Sequence, residues 1–569
     1  MFETKARLAG EICAVIDNVY GKDLATPEQI SELFEYPPDK TMGDIALPCF
    51  KLSRILRRSP VDIANSLAKD LKSDVLSDVN AVNGYLNFKI SNDYFAKKTL
   101  GNVFAQNEKY GAPDLGKGKT VVLDYSSPNV AKPFHIGHLG TTVIGHSLKK
   151  LHEFAGYKCV GINYLGDWGT QFGKLIVAYR LWGDKEQIEQ GGIDKLVELY
   201  VKFHAEAEKD ESLNDAARAE FRKLEDRDEE NLALWKWFVN ISLQEYSKTY
   251  DQLGITFDSY KGESFYSDKM PAQVEKLRKS GLLKIDDGAS IVDLSEYNLP
   301  PCLILKRDGS TLYPTRDIAA AYYRKETYDF DKCIYVTSAG QSLHFAQWFK
   351  VVELMGYDWH DRLVHVPYGT VSINGAKLAT RTGNVILLKD LFAMAIDKVA
   401  DVINEKNPTL ENKDYIAESV GVGAIVFYYL SNNRIRDINF VLEDALSFEG
   451  NTGPYVQYTY ARTCSILEKA ENIDENNIVI SAEEETDLIG VLAKFPEKVL
   501  EALRDYEPSV VTRYILDLAG AFNRFYHNCK ILSAEDKNTV NTRLALTKAT
   551  NIVLGNAFDL ICMRKTQKI

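Results

Sequence analysis

The chain has 569 residues, a formal net charge of −12 and a pI near 5.4. That length exceeds what one hydrophobic core supports and implies roughly three or four domains. A composition of 45% hydrophobic and 26% charged residues excludes a disordered chain, and the acidic balance excludes a protein that coats nucleic acid indiscriminately, though not a local basic face.

Eight cysteines without a CxxC pair read as reduced thiols rather than a zinc or disulfide framework. The opening "MFETKARLAGEICAVIDNVY" breaks its apolar run with charge, so it reads as an amphipathic helix and not as a signal peptide or anchor. No run of about 18 apolar residues occurs, and a cytoplasmic protein with no membrane partner is expected.

Residues 1–115 read as a small α+β unit. The opening helix is followed by a turn-rich stretch, a helix near 60–73, a strand-like "VNGYLNFKI" and another helix. "GAPDLGKGK" marks a boundary through its Gly and Pro content. "TVVLDY" (120–125) is a short apolar strand; Leu139, Val143, Ile144, Leu148, Leu151 and Ala155 then recur at helical spacing, and Gly156 is placed to stop that helix. "CVGINYL" is the next strand, which makes a βαβ unit and hence a parallel sheet.

From 183 to 262 the chain is charged and helical, as expected of an inserted subdomain. Strands return in "SIVDL", "PCLILKR", "KCIYVTSA", "RLVHVPYGTVSI" and "NVILL", and beyond 390 the chain reads as helix almost to its end.

The chemistry concentrates in "SSPNVAKPFHIGHLG" (126–140), where two of only nine histidines, His135 and His138, fall within four residues. A loop after the first strand of a parallel sheet lies at the ligand-binding edge. The following helix N-terminus is an anion site with free N–H groups, and Gly137 and Gly140 permit close approach to the backbone. Imidazoles beside such a site donate to phosphate oxygens as charge develops in nucleotidyl transfer. An exposed helix face or half a metal site is the alternative for a bare histidine pair; the agreement of strand, turn, glycines and helix start argues against both.

"PFHIGHLG" contains the HIGH signature of class I aminoacyl-tRNA synthetases. Together with "NYLGDWGTQFGKL" (163–175), the stretch resembles the arginyl-tRNA synthetase family over essentially the full chain. "GAKLATRTGN" (375–384) is similar to that family's lysine loop: Lys377, Thr380, Arg381, Gly383 and Asn384 match, while Leu378 and Ala379 depart from Met and Ser.

The resemblance implies a Rossmann-like α/β catalytic domain at 116–390 with its helical insertion, and an N-terminal α+β tRNA-binding domain at 1–115. A helical connection at 391–450 and an all-α anticodon-binding bundle at 451–569 follow. It further implies ligation of L-arginine to tRNA(Arg) with ATP and Mg²⁺, no tightly bound metal, action as a monomer, and arginine activation that needs bound tRNA.

The implied roles are as follows. His135, His138, Lys132 and Lys377 are catalytic, and Gly137 and Arg381 join His135, His138 and Lys377 around ATP. A guanidinium requires carboxylates and fixed acceptors, and the family positions for these fall on Asp124, Ser127, Asn129, Tyr313, Asp317 and Gln341. Tyr455, Tyr458 and Arg462 are expected to meet tRNA bases, with Tyr460 close by, and Lys51, Arg54, Arg57 and Arg58 to meet tRNA phosphates. A non-catalytic tRNA-binding relative, or a synthetase for another amino acid, is the alternative; the intact His135, His138, Lys377 and Asp317 speak against the first, and Tyr313 with Asp317 against the second.

Overall fold

The structure, a computed structural model, describes residues 2–373, 375–377, 386–470, 472–475 and 477–569. At its centre four parallel strands lie in the order Leu363–Tyr368, Lys332–Ser338, Thr120–Asp124, Lys158–Ile162. Val121, Val122 and Leu123 are fully buried, as a strand covered on both faces requires. The crossover helix Leu139–Phe154 joins the inner strand to Lys158–Ile162. It stops where Gly156 turns left-handed at φ 87°. The expected α/β fold with a parallel sheet and a helical C-terminal region is borne out.

Several strand expectations change. "VNGYLNFKI" is not one strand: Asn83 and Gly84, at φ 51° and 84°, turn the chain between Leu76–Val82 and Tyr85–Ile90. Positive φ at both turn residues is the hairpin geometry that Asn-Gly favours. "SIVDL" and "PCLILKR" do form strands, Ala289–Val292 and Cys302–Leu305, which join Leu283–Asp286 in a separate antiparallel sheet. "RLVHVPYGTVSI" splits in two, and Val371–Ile373 pairs with Ala376–Lys377 and Ile438–Phe440. Of "NVILL", 384 and 385 lie outside the described residues, and Leu387 makes a single bridge to His135.

The insertion is three helices, Lys185–Ala207, Ser212–Glu225 and Glu229–Leu253. Asp184 and Asp228 cap the first and third by accepting from the N–H groups of Gln187 and Asn231. Gly254, left-handed at φ 67°, closes the third. The helices Gly453–Leu467, Ser509–Asn528 and Lys537–Leu560 pack into the C-terminal bundle. Among the described residues no helix is long and apolar enough to cross a membrane.

Two histidines are buried in the crossover helix. His146 faces the Tyr125 hydroxyl at 3.1 Å, and the His152 Nδ1–H donates to the Leu148 carbonyl at 2.7 Å. Burial pushes their pKa values down to about 3 and about 4. The unfolded chain therefore takes up protons below the ordinary imidazole pKa, near 6.5, while the folded one does not. Stability is full above that value and falls as pH drops toward 4 and 3. At pH 5 the loss is expected to be roughly 2 kcal/mol for each histidine relative to pH 7. Urea titrations at the two pH values check this: equal midpoints, or a higher one at pH 5, would contradict it.

Candidate active site

A cavity of about 630 Å³ opens at the carboxyl edge of the parallel sheet, where ligands bind in such folds. All six residues expected around arginine line it: Asp124, Ser127, Asn129, Tyr313, Asp317 and Gln341; so does His138. Lys132, His135 and Gly137 belong to the same loop but not to the cavity wall.

The loop from Tyr125 to His135 departs from ordinary backbone geometry. Ser126, Ser127 and Ala131 are left-handed at φ 69°, 47° and 58°, a strain that persists only where surroundings enforce it. Two elements do so. The 163–167 stretch pairs with the loop, Gly166 N–H donating to the Pro128 carbonyl and Val130 N–H to the Gly166 carbonyl, both at 3.1 Å. A Cβ at Gly166 would push the Asn129 side chain from its place, so the glycine leaves that side chain its room.

The helix Glu229–Leu253 supplies the second clamp. Ser242 Oγ accepts from Ala131 N–H at 3.0 Å, and the Tyr246 hydroxyl lies 2.8 and 2.7 Å from the Asn129 and Lys132 carbonyls. The Tyr250 hydroxyl meets Ser126 Oγ at 2.8 Å. These hydroxyls were not singled out in the sequence, where they read as helix-face residues of an insertion.

The two histidines form a reciprocal cap on the short turn Ile136–His138. His135 Nδ1 accepts from Gly137 N–H at 3.0 Å, and His138 Nδ1 accepts from His135 N–H at 3.2 Å. With both Nδ1 atoms accepting, each neutral ring carries its proton on Nε2. Burial lowers the pKa of His138 to about 3, with His135 adding to the effect; burial, then Lys132, lowers that of His135.

Two expectations are corrected here. The N–H groups of His135 and Gly137 are not free for an anion, since the rings themselves cap them. Gly140 does not open the backbone to a ligand: a Cβ there would strike the Tyr429 hydroxyl, so its smallness serves packing.

The lysine loop is described at its ends. Lys377 closes the strand Ala376–Lys377; Leu378, Ala379, Thr380, Arg381, Gly383 and Asn384 lie outside the described residues. Beyond them, Ile136 N–H donates to the Ile386 carbonyl at 3.3 Å and Leu388 N–H to the Phe134 carbonyl at 2.9 Å. The chain leaving the lysine loop is thus paired to the histidine turn.

Tyr313 and Asp317 share a face of the helix Tyr313–Tyr328, as their i, i+4 spacing predicts. Tyr313 is 67% exposed, open to a ligand. Asp317 Oδ2 lies 2.6 Å from His344 Nε2, and His344 also lines the cavity.

Asp124 was expected as a second carboxylate for arginine, but it has resident partners. Arg324, fully buried, sits 2.7 Å from its Oδ2, and Ser127 Oγ donates to its Oδ1 at 2.9 Å. Burial opposes the Arg324 charge, yet Asp124 and the surrounding tyrosines outweigh that and hold its pKa above the usual value.

Glu263 is a third cavity carboxylate that sequence reading missed. Asp167 fixes it by accepting from Ser264 N–H at 2.8 Å and Ser264 Oγ at 2.7 Å, while Glu263 N–H donates to the Leu165 carbonyl at 2.9 Å. "YLGDWG" therefore builds a wall of the site. Burial raises the Glu263 pKa to about 7, against the pull of Arg316 at 2.5 Å.

In the C-terminal bundle Tyr458, 45% exposed, and Tyr526, 44% exposed, flank Arg462, whose guanidinium lies 4.9 and 4.7 Å from their ring centres. Tyr526 was not anticipated, because it comes from another helix, Ser509–Asn528. Tyr455 is half-buried, its hydroxyl accepting from Asn523 at 2.9 Å, and Tyr460 packs in the core against Phe558. Both are tied into the bundle. Lys51, Arg54, Arg57 and Arg58 are all exposed on the helix Phe50–Leu56 and just beyond its end.

Comparison with known proteins agrees with this layout. Residues 99–442 match the family model of tRNA synthetases class I (R), catalytic domain. Residues 456–569 match the DALR anticodon binding domain, and 6–90 the arginyl tRNA synthetase N terminal domain. The arginine–tRNA ligase of Alkaliphilus metalliredigens is 50% identical over 95% of this chain and 96% of its own. That of Clostridioides difficile is 51% identical over the same shares. The fold matches the Thermus thermophilus arginyl-tRNA synthetase with a TM-score of 0.82 at 24% identity, covering 99% of both chains. A strained loop carrying both imidazoles, a carboxylate-lined cavity and full-length likeness to these relatives converge: the chain belongs to the arginyl-tRNA synthetase family of class I.

Proposed function

We propose that the protein is an arginine–tRNA ligase. The observation that carries this reading is one cavity joining His138, at the turn of the nucleotide signature, to Tyr313 and the carboxylate of Asp317. In the first step the arginine carboxylate attacks the α-phosphorus of ATP, the bond to the β-phosphate oxygen breaks, and arginyl-adenylate and diphosphate result. His135 and His138 donate Nε2–H to the phosphate oxygens as charge builds, which the neutral rings can do because each Nδ1 accepts a backbone N–H and leaves the proton on Nε2. Lys132, Lys377 and Arg381 neutralise phosphates, and Mg²⁺ enters on the ATP phosphates. Asn129 and Gln341 hold the amino-acid end, and Tyr313 and Asp317 the guanidinium. In the second step the 2′-hydroxyl of the terminal adenosine attacks the adenylate carbonyl, loses its proton, and AMP leaves.

tRNA(Arg) is held by the C-terminal bundle and the basic N-terminal helix, and one chain carries every part, so the monomer suffices. For the bundle, Arg462→Ala is expected to weaken tRNA binding about tenfold, since it separates the Tyr458 and Tyr526 faces. Filter binding with tRNA(Arg) checks this, with unaltered KM values for arginine and ATP; unchanged affinity would remove Arg462 from the interface. For the reaction, ATP–diphosphate exchange with each amino acid, with and without tRNA, is decisive. Exchange with arginine is expected; exchange with another amino acid instead, or with none under any condition, overturns the reading.

A further inference from the structure

The helix Tyr313–Tyr328 brings two arginines to a site that must capture a third. Arg316 lies 2.5 Å from Glu263, and Arg324 lies 2.7 Å from Asp124. A guanidinium is always charged, and each of these two lies against an acid of its own. Asp317 is different. Its Oδ2 accepts from the Nε2–H of His344 at 2.6 Å rather than from an arginine. Among the described residues its Oδ1 has no hydrogen-bond partner, although Arg316 is its immediate neighbour in sequence.

We propose that His344 is a positioning residue for substrate selection: by bonding Oδ2 of Asp317, His344 fixes that carboxylate in the cavity wall with Oδ1 presented to the arginine guanidinium. The physical need is plain. The carboxylate torsion of aspartate is broad and two-fold, so an untethered Asp317 rotates and becomes open to Arg316. Packing sets the tether: His344 lies in the first turn of the helix Ser342–Leu354, its ring edge-on to Phe345, which in turn stacks on His365 at 4.2 Å. Each resident arginine thus has its own acid, and the remaining acid is held for the incoming one. This rests on the arginine reading above.

The test is ATP–diphosphate exchange in the presence of tRNA(Arg), with KM for arginine, KM for ATP and kcat measured for His344→Ala, His344→Gln, His344→Arg and Asp317→Asn. His344→Ala is expected to raise the arginine KM about tenfold, with the ATP KM and kcat within about twofold of wild type. His344→Gln, whose amide N–H reaches the position of Nε2, is expected to restore it to within about threefold. His344→Arg closes the third acid and is expected to raise it about 100-fold or more. A normal arginine KM in His344→Ala, or His344→Gln no better than His344→Ala, overturns the proposal. If Asp317→Asn raises the arginine KM while His344→Ala is silent, only the role of His344 falls; if Asp317→Asn leaves arginine saturation intact, the arginine site itself is misassigned.

Discussion

Replacing His138 by alanine is expected to lower the rate of adenylate formation about 10²–10³-fold with little change in tRNA affinity. The substitution removes an Nε2–H donor, and it also removes the Nδ1 that accepts from His135 N–H, so that backbone N–H loses its acceptor as well. His138→Asn separates the two effects, because its side-chain oxygen can still accept from the backbone while nothing replaces Nε2–H. Single-turnover adenylation is the measurement: a wild-type rate in both variants would take the ring away from the phosphate. With a pKa held near 3 by burial, the His138 ring stays neutral from pH 6 to 8. Its titration should leave no inflection in the rate over that interval.

Asp317→Asn should raise the KM for arginine by about 10²-fold or more, with the KM for ATP unaltered. The change keeps the volume and the contact to His344 but removes the charge. A charge-assisted pair with a guanidinium is roughly twice as strong as a neutral bond. Among the described residues of the cavity wall, the other carboxylates, Asp124 and Glu263, already lie against arginines. Steady-state exchange over a wide arginine range checks this, and normal saturation would place the guanidinium elsewhere. The same logic predicts strong rejection of lysine, which would leave acceptors unpaired.

The sequence carried the sheet and the ATP half of the site because both are local. An apolar run, a glycine-interrupted turn and a periodic helix lie within forty-odd residues of one another, and His135 and His138 cap a turn that they themselves compose. Tyr313 and Asp317 were legible for the same reason, since one helical spacing decides their common face. What sequence reading missed is non-local. Glu263 reaches the cavity through Asp167, nearly a hundred residues earlier, and Arg324 closes on Asp124 from two hundred residues away. Tyr526 joins Tyr458 only because two bundle helices pack together. Asp124 shows the risk in a positional reading, because its place in the chain was right while the guanidinium beside it could be seen only in three dimensions. "VNGYLNFKI" failed differently, through an Asn-Gly turn hidden inside an apolar stretch.

The helix Glu229–Leu253 has a bearing on how this enzyme can be re-engineered. Its hydroxyls at Ser242, Tyr246 and Tyr250 seal backbone and side-chain groups of the catalytic loop, so the insertion is not a detachable cassette. A chimaera that grafts the parallel sheet onto another synthetase's insertion would inherit the signature residues but lose the brace that keeps Ser126, Ser127 and Ala131 in their unusual backbone state. Modular exchange in this family must therefore cut outside that helix, carrying the brace and the loop together as one heritable piece.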